Sequence, residues 1–101
     1  MIWNIEDLSV YLNYNNLTDV VYKVNYLVSK TDNNGYSETI FKTSNIDLSN
    51  LDSFIDFEDL TEEIVLEWIK ADLGESGITA LEDELNDALE LLSNTSIKTL
   101  Q

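Results

Sequence analysis

Hydrophobic and polar residues alternate most regularly at Val20, Tyr22, Val24, Tyr26 and Val28, the period of a strand with one buried face. Asp32-Asn33-Asn34-Gly35 follows, four residues that tolerate the left-handed backbone of a tight reversal. Residues 36–43 are again rich in β-branched and aromatic types, so residues 20–43 predict a β-hairpin. Upstream, residues 2–5 and 8–12 are β-prone and broken by Glu6-Asp7. They read as one bent or bulged strand, or as two short ones. Residues 13–16 supply a polar loop, and residues 2–44 therefore predict a three-stranded antiparallel meander. Tyr22 and Tyr26 belong to its core or half-core, with their hydroxyls reaching the rim.

Residues 45–58 have no clear period but hold Ile46, Leu48, Leu51, Phe54, Ile55 and Phe57. They are expected to cross the sheet and close one end of the core, with a turn of helix near residues 49–54. At Asp59 the period changes. Asp59 with Glu62 resembles a capping box, and Glu62 and Glu63 suit the positive end of a helix dipole. Leu60, Ile64, Val65, Trp68, Ile69 and Leu73 form one apolar stripe, and Gly74 stands where a left-handed cap belongs. Beyond Ser76-Gly77, the stripe Ile78, Leu81, Leu85, Ala88, Leu89 and Leu92 predicts a second helix over residues 78–93, so residues 59–93 read as a helical hairpin. The expected fold is α+β: one domain over residues 1–93, with a three-stranded antiparallel meander followed by two amphipathic helices packed on it. Residues 94–101 form a tail, frayed or ordered on a partner.

Composition narrows the chemistry. The chain has 101 residues, no His, no Cys, and no Arg among its five basic residues. The usual general bases, thiolate nucleophiles and soft-metal ligands are thus missing, as is the bidentate clamp for phosphate. Ten aromatic residues argue for a packed core rather than a disordered acidic chain. With a net charge of −15, direct nucleic-acid binding is unfavourable, and attraction falls on cations and basic proteins. No stretch approaches the roughly 20 apolar residues that span a bilayer. Residues 1–7 lack the pattern of a signal peptide, so the chain is read as made and kept inside a cell.

Two chemical readings of the carboxylates fail at this level. Asp52, Asp56, Glu58 and Asp59 lie close together, but in so acidic a chain close pairs arise by chance, and no substrate cleft is evident. Asp32-Asn33-Asn34-Gly35 looks like part of an EF-hand loop, yet Lys30 stands where the first acidic ligand should be. No catalytic residue, cofactor or metal site is assigned. The charge itself is concentrated: residues 59–93 hold eleven acids against Lys70, ten of the fifteen net negative charges. Glu82, Asp83, Asp87 and Glu90 fall opposite the second leucine stripe. That carboxylate face reads as a solvated surface, as a docking surface for a basic partner, or as a mimic of DNA phosphates.

Several blocks also carry a resemblance. They are Trp3-Asn4-Ile5 with Leu8 and Tyr11, then Leu17-Thr18-Asp19-Val20-Val21-Tyr22-Lys23-Val24, then Phe57-Glu58-Asp59-Leu60-Thr61-Glu62-Glu63 followed by Trp68-Ile69. In these blocks, which span most of residues 1–93 in the same order, the chain resembles a family of small, largely uncharacterised tailed-bacteriophage proteins common in marine and cyanobacterial phages. Members of that family often carry Trp where this chain has Tyr26, and a Pro-rich tail missing here. None of the shared motifs is catalytic, so the resemblance implies an origin rather than an activity. Heavy use of Asn, Ile and Lys without Arg or Pro also suits an A·T-rich genome.

The expectation is a non-enzymatic phage protein acting through protein–protein contacts, a structural or accessory part of the virion. Its partners would be other phage structural proteins or itself in a multi-copy assembly, with no membrane role. The alternative is an acidic, DNA-mimicking inhibitor of a host nucleic-acid-binding or defence protein, acting in the host cytoplasm during infection.

Overall fold

A computed structural model describes residues 1–49, 54–96 and 98–100. Three strands, β1 (Ile2–Tyr14), β2 (Leu17–Thr31) and β3 (Ser37–Asn45), form one antiparallel sheet in the order β1-β2-β3. A 3₁₀ turn (Phe57–Asp59) leads into α1 (Glu62–Ser93), which lies across one sheet face. The α+β class and the three-stranded antiparallel sheet are thus those expected.

The first reversal is tighter than a four-residue loop. Asn13 and Tyr14 belong to β1, and only Asn15 and Asn16 turn, both with left-handed φ (48° and 65°). Asparagine tolerates that region better than other residues with a Cβ, and two such residues make the two-residue turn that matches strand twist. In the second reversal, Oδ1 of Asp32 accepts from the backbone N–H groups of Asn34 and Tyr36 at 2.9 and 3.0 Å. The carboxylate is spent on holding the turn together, with Gly35 at φ 87°.

Two bulges shape the strand pattern, and the one at Glu6 makes β1 the single bulged strand that was one of the two readings of that stretch. Glu6 is an extra residue on β1 between the pairs Ile5–Tyr26 and Asp7–Asn25, and Tyr22 is an extra residue on β2 between Ser9–Lys23 and Val10–Val21. Each bulge switches the parity of the residues beyond it. Trp3, Ile5, Leu8 and Val10 therefore share a face although their spacing is not a strict alternation. On β2 the same face carries Val21, Val24, Tyr26 and Val28. Tyr22 is half-buried, as the half-core reading allows, but it lies outside the core cluster, stacked on Tyr11 with centroids 4.1 Å apart.

The two expected helices run on as one helical element, α1, with a kink at Gly74 between them. Thr61, not Asp59, is its N-cap, and the Thr61 hydroxyl accepts from the N–H of Ile64 at 3.2 Å. Asp59 sits instead in the 3₁₀ turn, and Leu60 between them is extended and packs against the core. Ser76 and Gly77 are helical rather than a loop. Gly74 does have a left-handed φ of 68°, but with ψ 179° it breaks α1 in mid-course instead of ending it.

That break has a geometric reason. Ile69 and Leu85, both fully buried, belong to one core cluster although sixteen positions separate them. At about 100° per residue an unbroken helix would turn them about 160° apart, so only one could face the sheet. The core they complete is built of aliphatic and aromatic side chains, and among the described residues no charged side chain is buried. Ile46, Leu48, Phe54 and Ile55 close one end of it beside Val21 and Trp68, around a cavity of about 230 Å³. Of the helical turn expected near residues 49–54, residues 50–53 lie outside the described residues.

Candidate protein-docking surfaces

The acidic residues singled out from sequence all lie on the exposed side of α1. Leu81, Leu85 and Leu89 are buried at four-residue spacing, while Glu82, Asp83, Asp87 and Glu90 are exposed. Asp83, Asp87 and Glu90 follow one another at spacings of four and three, which aligns them along the pole away from the sheet. Glu82 stands closer to the flank, three residues before Leu85. Glu84 is engaged elsewhere: its carboxylate meets the Lys42 ammonium at 3.2 Å. On the other flank the Lys30 ammonium donates to Oδ1 of Asn86 at 2.7 Å. Two of the five lysines thus tether the second half of α1 to β2 and β3, leaving the outer carboxylates without a cation among these contacts. A third, Lys70, reaches over the Trp3 ring at 5.1 Å, which covers an apolar edge while its charge stays in water.

The cavity at the end of the core has apolar walls, with Asp19 and Asp47 as its charged lining. Asp47 accepts from the backbone N–H of Ser49 at 2.9 Å, which holds its carboxyl below the usual range. Asp19 has a left-handed φ of 53°. At about 230 Å³ the space is below the roughly 300–1,000 Å³ of small-molecule sites. Beneath the other half of the sheet, Tyr26 is 3% exposed and stacks on Trp3 with centroids 6.1 Å apart. Burial, reinforced by the Asp72 carboxylate, pushes the Tyr26 phenol above its ordinary value.

Sequence reasoning missed the sheet face turned away from α1. Ile2 and Phe41 on that face are 63% and 69% exposed, and Leu27 on the central strand pairs with Phe41. A signal was available. Ile40 and Phe41 are adjacent in one strand, and since neighbours point to opposite faces, one of them had to face away from the core. Across the middle of this face Asn25 bridges the strands. Its Nδ2 donates to Asp7 Oδ1 at 2.6 Å, and its Oδ1 accepts from the Thr43 hydroxyl at 2.6 Å.

Taken together, these features define a small α+β protein whose sheet is covered by a helix on one side only, with its carboxylates outward on that helix. The chain belongs to the family described as a domain of unknown function (DUF7936), whose family model matches residues 1–100. No curated protein and no solved structure shows a significant match to it.

Proposed function

We propose that this protein is a non-enzymatic bacteriophage component that works through protein–protein contacts, as a structural or accessory part of the virion. The observation that carries the contact role is the uncovered sheet face, where Phe41 and Ile2 are mostly exposed in a domain of modest size. Apolar groups kept in water on an uncovered sheet face mark a place for another protein. The phage origin rests on the blocks at residues 3–11, 17–24 and 57–69 described above. Quantitative mass spectrometry of purified particles against lysate from the same infection tests the reading. Enrichment at many copies per particle is expected, and confinement of the protein to the lysate would sink it.

A second reading draws on the outward row of Asp83, Asp87 and Glu90. Presented together on one rigid helix, they suit a basic groove, as an inhibitor that imitates DNA phosphates would. Such binding weakens steeply with salt, whereas a packed apolar contact does not. Replacing Asp83, Asp87 and Glu90 with their amides abolishes binding to a basic host partner on this reading and leaves virion incorporation intact on the first.

A further inference from the structure

The uncovered face is a grid. Strand register sets four rows of three across it: Ile2–Ser29–Thr39, Asn4–Leu27–Phe41, Asp7–Asn25–Thr43 and Ser9–Lys23–Asn45. These twelve residues include one acid, Asp7, and one base, Lys23, so the grid is neutral in a chain of net charge −15. Hydroxyls and amides fill most of its other positions, and its apolar groups are Ile2, Leu27 and Phe41.

Charge decides what can lie on such a face. A basic partner is drawn to the carboxylates of α1, not to a neutral grid on the opposite side. Two copies of this chain repel one another through their acidic surfaces, and they meet without repulsion only where local charge cancels. We infer that the occupant of the open face is a second copy of the same chain, stacked sheet to sheet about a two-fold axis. In this dimer each α1 lies outermost. The two carboxylate rows are then separated by two sheets and two helices, roughly 30 Å and several times the ~8 Å screening length at physiological salt. Lys23 of each copy can lie toward Asp7 of the other, because a two-fold contact pairs a surface with itself.

The size of the face sets the strength. Three strands and four rows cover roughly 15 by 27 Å, or roughly 600 Å² per copy once side-chain relief is included. Two such faces bury about 1,200 Å², the small end of stable specific interfaces, so a micromolar dimer is expected. The inference rests on the protein–protein reading for its class of partner, and on nothing about where the protein works.

Sedimentation equilibrium of the purified chain, from about 1 to 200 µM, tests it. The expected result is a mass rising from 11.5 kDa to twice that value. Phe41→Glu and Ile2→Glu, on opposite edges of the grid, should each weaken dimerisation roughly ten-fold or more with an unchanged far-UV circular dichroism spectrum. Asp83→Asn with Asp87→Asn should leave the dimer intact. If one face variant fails to fold, the other decides. A wild-type chain that stays monomeric at the highest concentration, or a dimer indifferent to both face variants, overturns the inference. Monomeric behaviour together with particle enrichment would assign the face to a different phage protein and leave the proposed function standing.

Discussion

At the scale of single residues, the local choices that define the chain path are made by short polar side chains and glycine. Thr61 wins the cap position from Asp59 because Leu60, placed between them, has to reach the core. A helix starting at Asp59 would carry Leu60 in its first turn; one starting after Thr61 leaves it extended and inward. Thr61→Ala is therefore expected to destabilise the fold by about 1 kcal/mol. In a domain of this size that lowers the melting temperature by roughly 4–8 °C. Asp59→Ala should have a smaller effect, and thermal melts of the two variants compare them directly. Equal losses would mean that the helix starts earlier than the cap geometry indicates. The Asp59-x-x-Glu62 spacing was legible in sequence, but it competes with Thr61-x-x-Ile64, and the cap with the better-buried neighbour prevails. Asn15 and Asn16 were legible as turn formers, whereas the number of residues in the turn depended on how far β1 and β2 remain paired.

At the scale of elements, the informative cases are those in which one residue redirects a whole face. Glu6 and Tyr22 each add a residue to one strand, and the core rows Trp3–Val28, Ile5–Tyr26, Leu8–Val24 and Val10–Val21 exist only because of those insertions. Without the β2 bulge, the alternation from Val20 to Val28 would put Tyr22 in the core and Val21 outside. Gly74 acts on α1 in the same way, resetting the helix phase so that Val65 and Ile69 in the first half and Leu81 and Leu85 in the second all reach the sheet. A side chain at Gly74 meets nothing within 4 Å, so its constraint is conformational rather than steric. Gly74→Ala is expected to cost roughly 1–3 kcal/mol, because φ 68° with ψ 179° is a backbone region essentially confined to glycine. Chemical denaturation measures it. A neutral result would show that α1 straightens without loss, which the burial of both Ile69 and Leu85 contradicts. The sequence carried both apolar stripes and marked Gly74 as the point of change. Whether the chain there turned back into a second helix or continued past a kink depended on how both stripes could reach one core.

At the scale of the whole molecule, charge and hydrophobic burial are segregated. The described core contains no charged side chain, and the carboxylates of residues 82–90 point away from it, with Glu84 alone among them paired to a lysine. A net charge of −15 on so small a body opposes compaction by self-repulsion. Raising the salt from about 50 to 500 mM shortens the screening length and should increase the melting temperature by several degrees. Asp83→Asn combined with Asp87→Asn should raise it at low salt and reduce its salt dependence. A melting temperature that falls on adding salt would mean that attractive pairs such as Lys42–Glu84 outweigh the general repulsion, against the small worth of exposed pairs.

The sequence by itself determined the α+β class, the three strands and their reversals, and the acidic outer face of the last helical stretch. Those follow from local periodicity, turn-forming residues and the separation of leucines from carboxylates, which act within a few positions of one another. Only the tertiary structure decided between one bulged β1 and two short strands, and it alone decided the bulge at Tyr22, the phase reset at Gly74, the cap at Thr61 and the neutral grid on the open face. Each of these depends on which distant residue is opposite, since a side chain's face is set by pairing across strands and by the partner it packs against. Phe41 is the clearest case. Its β-prone strand was readable along the chain, but its exposure follows from Ile40, paired with Val28, taking the side that α1 covers.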